Sequence, residues 1–113
     1  DWIEDEDLIN PVTALSGGGP AYVFLLIETL TEAGVKAGLP EALSKRLALH
    51  TVAGAGALAE SADEEPAQLR INVTSPGGTT LEALNVLMAD DGLQPLMIKA
   101  IQAATDRSKE LAG

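Results

Sequence analysis

Residues 21–37 carry a helical apolar pattern whose first half has no polar face. Val23, Leu26, Ile27, Leu30, Ala33, Gly34 and Ala37 share one side, while Tyr22, Phe24 and Leu25 occupy the others. A helix apolar all round has to be buried, and a chain of 113 residues offers few internal partners to bury it. Burial against another copy of the chain is therefore expected. The residues available for a core agree with this: 46% are hydrophobic but only 3% aromatic, so the core must be built from Leu, Ala, Val and Ile. Such a core suits closely packed helices.

Glycine and proline cut the rest of the chain into further helical segments. Residues 1–7 are acidic around Trp2 and Ile3 and read as a linker into a domain spanning 8–113. Residues 8–15 can form a short helix, with Pro11 confining it to start nearby. Ser16-Gly17-Gly18-Gly19-Pro20 then breaks the chain. Its glycines do not follow the G-x-G-x-x-G spacing and no β-branched strand precedes them, so a dinucleotide loop is rejected. A sharp bend with Pro20 at the first helical position is the better account. Gly38 closes the apolar helix and Pro40-Glu41 opens the next, which runs to about Glu60 with Leu43, Leu47, Thr51, Gly54 and Leu58 as its stripe. Gly54 and Gly56 each cost that helix about 1 kcal/mol against alanine, but permit very close helix contact. The alternative there is a flexible Gly-Ala loop, against which the flanking periodicity argues. A short helix over residues 66–73, one beginning at Leu81 and stopped by Asp91-Gly92, and a last one from about Pro95 complete the pattern. No strand pattern exceeds a few residues, and the fold class expected is all-α.

The stretch Ser75-Pro76-Gly77-Gly78-Thr79-Thr80 is the candidate site. Pro76 fixes its own φ and pushes Ser75 towards an extended conformation, so no helix runs through. Gly77 and Gly78 leave the backbone bare for close approach of a ligand. Thr79 stands three residues before Glu82, a capping-box spacing. A glycine turn feeding a helix start offers unpaired N–H groups and a positive dipole end, which favour a small carboxylate or phosphate. The plain alternative is a loop and a helix cap with no ligand.

Other chemistry is thinly represented. A net charge of −10 argues against nucleic acid or an anionic membrane as partner. With no cysteine, disulfide scaffolds and thiolate metal sites are excluded, which fits the cytoplasm. His50 has no second histidine beside it, so no metal is expected, and no base stands near Ser16 or Ser75 in sequence. The longest apolar run, residues 21–27, is too short to cross a bilayer. The chain opens at Asp1 with no signal-like segment, and an upstream part is expected.

Four segments converge on a family. ALSGGGPAYVF (14–24), AGVKAGLP (33–40), AQLRINVTSPGGTT (67–80) and GLQPLMIKAIQAATDRSKEL (92–111) resemble, in order and spacing, the C-terminal domain of pyrroline-5-carboxylate reductase. The resemblance implies an all-α helical dimerisation domain of the 6-phosphogluconate-dehydrogenase C-terminal-domain-like type, intertwined with a second subunit. It also implies a preceding Rossmann domain for NADPH or NADH, and reduction of 1-pyrroline-5-carboxylate to L-proline, the last step of proline synthesis. Ser75 and the backbone of Gly77, Gly78 and Thr79 match the loop that holds the substrate carboxylate. Thr80 matches the position whose hydroxyl faces the ring nitrogen, the catalytic assignment, and Val73 would line the aliphatic side of the ring.

The chain departs from the family pattern at its first glycine turn, where Gly18 replaces the second serine of the usual Ser-Gly-Ser-Gly-Pro. A tuning effect is expected from it. By the same resemblance no residue of this chain binds the cofactor, so the fragment alone is expected to be folded, homodimeric and catalytically silent. Assembly beyond the dimer and the choice between NADPH and NADH are not legible. A free-standing helical oligomerisation module, and a related dehydrogenase acting on another substrate, remain the competing readings.

Overall fold

A computed structural model of the chain describes residues 6–113. Among them run six α-helices: α1 Glu6–Val12, α2 Gly19–Lys36, α3 Glu41–Ser61, α4 Pro66–Asn72, α5 Thr79–Leu87 and α6 Leu93–Ala112. No strand occurs among the described residues, as the periodicity required. Glu6 and Asp7, read as the end of a linker, are helical, and residues 1–5 of that expected linker lie outside the described residues. The chain divides into two compact units, Asp1–Pro20 with Gly77–Gly113, and Ala21–Pro76.

In the first unit, α1 carries Pro11 inside it rather than near its start. Pro11 removes one i→i−4 bond, and the winding loosens directly afterwards. Thr13–Gly17 form a π-helical turn, closed by the Gly18 N–H on the Thr13 carbonyl at 3.2 Å. Both α1 and this turn pack on α6. Ala14 of the turn and Thr105 of α6 are buried, and the Thr105 hydroxyl donates to the Ile101 carbonyl at 2.7 Å. Ser108 and Asn10 join α6 to α1 through a 2.7 Å side-chain hydrogen bond. Gly92 links α5 to α6, and a β-carbon there would overlap the Leu87 carbonyl, so the turn needs glycine.

In the second unit, α2 ends as Gly38 requires. With φ at +114°, Gly38 donates to the Val35 carbonyl, and Leu39 donates to the Gly34 carbonyl, both at 3.0 Å. This is a Schellman closure. Pro40 then caps α3, accepting the Ser44 N–H at 2.9 Å. Ser44, 2% exposed, donates its hydroxyl to the Thr31 carbonyl of α2 at 2.8 Å. Gly34 lies against it, and a β-carbon at Gly34 would overlap the Ser44 Oγ. Gly54 and Gly56 sit within a continuous α3, so the Gly-Ala loop does not occur. β-Carbons added at either would meet nothing within 4 Å.

Little of the apolar surface is covered. The buried residues among those described are Ala14, Ser44, Ala48 and Thr105, and α2 contains none. Phe24 and Leu25 remain 63% and 58% exposed, with Val23, Leu26 and Leu30 beside them. Soluble monomers rarely leave so continuous an apolar surface in water. The all-round apolar pattern of α2 is thus matched by a helix that its own chain does not bury.

Candidate functional site

The candidate turn is built from the end of one helix and the start of another. At the close of α4 the Val73 N–H is shared between the Leu69 and Arg70 carbonyls at 3.3 Å each, and the Thr74 N–H reaches the Ile71 carbonyl at 3.0 Å. The Thr74 hydroxyl donates to the Arg70 carbonyl at 2.6 Å, so the last turn of α4 is tied twice through one residue. Ser75 follows, exposed and held towards extended backbone by Pro76. Val73 is 67% exposed, leaving its isopropyl group open.

The division between the two compact units falls between Pro76 and Gly77. Gly77, Gly78, Thr79 and Thr80 therefore stand together at the start of α5, whereas Val73 and Ser75 belong to the end of α4 and are joined to them through the chain. Gly77 takes φ of +70°, the left-handed region that glycine alone enters cheaply. Gly78 is the N-cap of α5, with φ −87° and ψ 177°.

This corrects the capping-box spacing. The helix starts at Thr79, two residues before the apolar pattern begins, so Thr79 is its first residue and not its cap. A glycine cap has no side-chain oxygen, and no side-chain hydrogen bond closes this end. The first intrahelical bond is the Glu82 N–H to the Gly78 carbonyl at 3.4 Å. The N–H groups of Gly78, Thr79, Thr80 and Leu81 are left without helical partners, at the positive end of the helix dipole. Thr79 and Thr80 are exposed beside them, with hydroxyls able to donate or accept. Such an arrangement can receive a carboxylate on backbone donors and offer a hydroxyl to an atom next to it.

Two grooves lie elsewhere. One, about 420 Å³, runs between α2 and α3 over Ile27, Thr31, Val35 and Lys45, and another of about 450 Å³ lies over Pro11, Met97, Ile98 and Ile101. His50 is exposed on α3. Among the described residues, no group of three or more His, Asp or Glu is placed to hold a metal, and no helix is long and apolar enough to cross a membrane. Ser16 and Gly17 lie in the π-helical turn and Gly19 and Pro20 begin α2, so this run joins two helical elements and lacks the strand-to-helix form of a dinucleotide loop. Gly18 sits at φ −84° and ψ −10°, a conformation serine also adopts, so glycine there withholds a hydroxyl without being needed for the backbone. Two features escaped the periodicity: the π-helical turn and the Thr74 hydroxyl bond. A threonine four residues after the last-turn carbonyl was the available signal for the second.

An all-α chain that leaves the apolar face of α2 uncovered has the make-up of an oligomerisation domain. Residues 6–111 match the family described as pyrroline-5-carboxylate reductase dimerisation, and the chain belongs to it. Among curated relatives, the pyrroline-5-carboxylate reductase of Pseudomonas aeruginosa is 49% identical over 98% of this chain and 40% of its own length. That of Synechocystis is 49% identical over 94% of this chain and 39% of its own. Among solved structures, a pyrroline-5-carboxylate reductase from Coxiella burnetii superposes with a TM-score of 0.91 at 46% identity, covering 97% of this chain and 40% of that one. The Plasmodium falciparum pyrroline carboxylate reductase with NADP bound gives a TM-score of 0.89 at 39% identity, over 96% and 41% of the two chains. The chain thus spans about 40% of the length of the relatives it matches.

Proposed function

We propose that this chain is the dimerising and substrate-side part of a pyrroline-5-carboxylate reductase, which reduces 1-pyrroline-5-carboxylate to L-proline in proline synthesis. The observation that carries this reading is the start of α5. Gly77 and Gly78 lead bare backbone into a helix end with unpaired N–H groups and two exposed threonine hydroxyls, and this lies in the family's dimerisation domain. The substrate is a small imine bearing a carboxylate. Its carboxylate is held by Ser75 and by the backbone of Gly77, Gly78 and Thr79, with the dipole of α5 behind them. Val73 covers the aliphatic side of the ring.

Reduction adds a hydride to the imine carbon and a proton to the nitrogen, giving the secondary amine. The hydride comes from NADPH or NADH. Among the described residues no strand leads into the Ser16-Gly17-Gly18-Gly19-Pro20 run, so it lacks the strand-to-helix form of a dinucleotide loop. Holding the cofactor falls to the part of the relatives that this chain does not span. What these residues contribute is orientation and a proton path. The Thr80 hydroxyl faces the ring nitrogen and orients the ring or relays the proton. The partner is a second copy of the chain, and the setting is the cytoplasm, in keeping with a cysteine-free sequence.

The test is turnover by the full-length polypeptide containing this chain, with 1-pyrroline-5-carboxylate and NADPH or NADH, followed as L-proline formed. Turnover of another imine or a hydroxy acid, with pyrroline-5-carboxylate ignored, would overturn the assignment.

A further inference from the structure

We infer that Thr74 is a positioning residue for the substrate carboxylate, acting through Ser75. The inference rests on the reading of the turn proposed above. Ser75 has no helix of its own to hold it, and its place is set by its two neighbours. On one side Pro76 restricts the Ser75 backbone to extended conformations. On the other, Thr74 fastens the chain to α4 with two bonds, its N–H to the Ile71 carbonyl at 3.0 Å and its hydroxyl to the Arg70 carbonyl at 2.6 Å.

The second of these bonds matters because the first bonds at this helix end are loose. The Val73 N–H is shared between two carbonyls at 3.3 Å each, an arrangement typical of a fraying last turn. The Thr74 hydroxyl bond is the shortest at this helix end, and it originates one residue before Ser75. Thr74 is half-buried, while Val73 and Ser75 on either side of it are exposed. It is therefore the residue of the three that the surrounding structure grips. Removing its hydroxyl lets the last turn of α4 open and the Ser75 hydroxyl wander, with every group proposed to touch the substrate still present.

The experiment uses the full-length enzyme with Thr74→Val, which keeps the side-chain shape, and Thr74→Ser, which restores the hydroxyl. For Thr74→Val, KM for pyrroline-5-carboxylate should rise about fivefold and kcat should stay within about twofold, the signature of weakened binding without altered chemistry. The inhibition constant of L-proline, which carries the same carboxylate, should rise in parallel, while KM for the nicotinamide cofactor stays put. Thr74→Ser should return both carboxylate constants to the parent values. An unchanged KM in Thr74→Val, or a loss confined to kcat and the thermal midpoint, makes Thr74 a helix cap only and overturns the inference. A parent enzyme with no activity on pyrroline-5-carboxylate overturns the reading of the turn itself, and the positioning role falls with it.

Discussion

Ser44 of α3 donates its hydroxyl to the Thr31 carbonyl of α2 at 2.8 Å, in a space left open by the missing side chain of Gly34. Three residues thus fix where α2 and α3 meet: a buried donor, an acceptor already serving a helix, and a glycine that makes room for the donor. The contact is small, polar and backbone-directed, and it sits in a unit with few buried apolar side chains.

Gly34→Ala should therefore destabilise the full-length protein by about 1–3 kcal/mol, because the new methyl overlaps the Ser44 Oγ. Ser44→Ala alone should cost about 1 kcal/mol for the lost bond. The double variant should cost less than the sum of the two, since the second change removes the atom the first one strikes. Urea denaturation of the three variants measures the coupling. Strict additivity would mean that Gly34 is not kept small by Ser44.

Gly77 and Gly78 are adjacent and should behave differently. Gly77 lies at φ +70°, so Gly77→Ala should cost about 1 kcal/mol of stability from the backbone alone. Gly78 has ordinary extended backbone, which alanine also adopts. Gly78→Ala should cost no more than a modest loss of helix capping and raise KM, because it adds a side chain among the backbone groups proposed to hold the carboxylate. A Gly78→Ala enzyme with unaltered KM would speak for a turn that binds nothing.

Thr80→Val removes the hydroxyl assigned to the ring nitrogen and keeps the shape. Steady-state kinetics of the full-length enzyme should show kcat lowered by about tenfold or more, with the oligomer intact by light scattering. Unchanged kinetics would remove Thr80 from the reaction.

Phe24→Glu places a charge on the exposed apolar face of α2. At micromolar concentration the parent protein should scatter light as at least a dimer, and this variant as a smaller species. A parent that is a stable monomer would show that α2 is covered within its own chain.

The helices were legible because their ends are chemically marked. Gly38 and Pro40 bracket the junction of α2 and α3, whereas α5 ends at Leu87, before the Asp91-Gly92 stop the sequence offers, and Gly92 instead caps α6. The apolar pattern of residues 21–37 also foretold a helix its own chain leaves uncovered. The start of α5 was misplaced by two residues because Thr79 and Thr80 are apt both as caps and as first-turn residues. With Gly78 taking the cap, the apolar pattern begins at the third helical residue and not at the first. The π-helical turn at Thr13–Gly17 left no periodic trace, since five residues are too few to reveal a changed repeat. The candidate turn itself was visible as a string of letters. Its division between two compact units, and the Thr74 bond that steadies one end, were not, because neither follows from residue type alone.

The sparse interior has a consequence for how the protein comes into being. With Ala14, Ser44, Ala48 and Thr105 as the buried residues described, the chain covers little apolar surface by itself, and the proposed second copy would cover more. In such an assembly folding would be a second-order event: its rate would rise with the concentration of newly made chains, and its melting temperature would shift upward as the protein is concentrated. A cell that makes such a chain slowly keeps it longest in the state chaperones recognise.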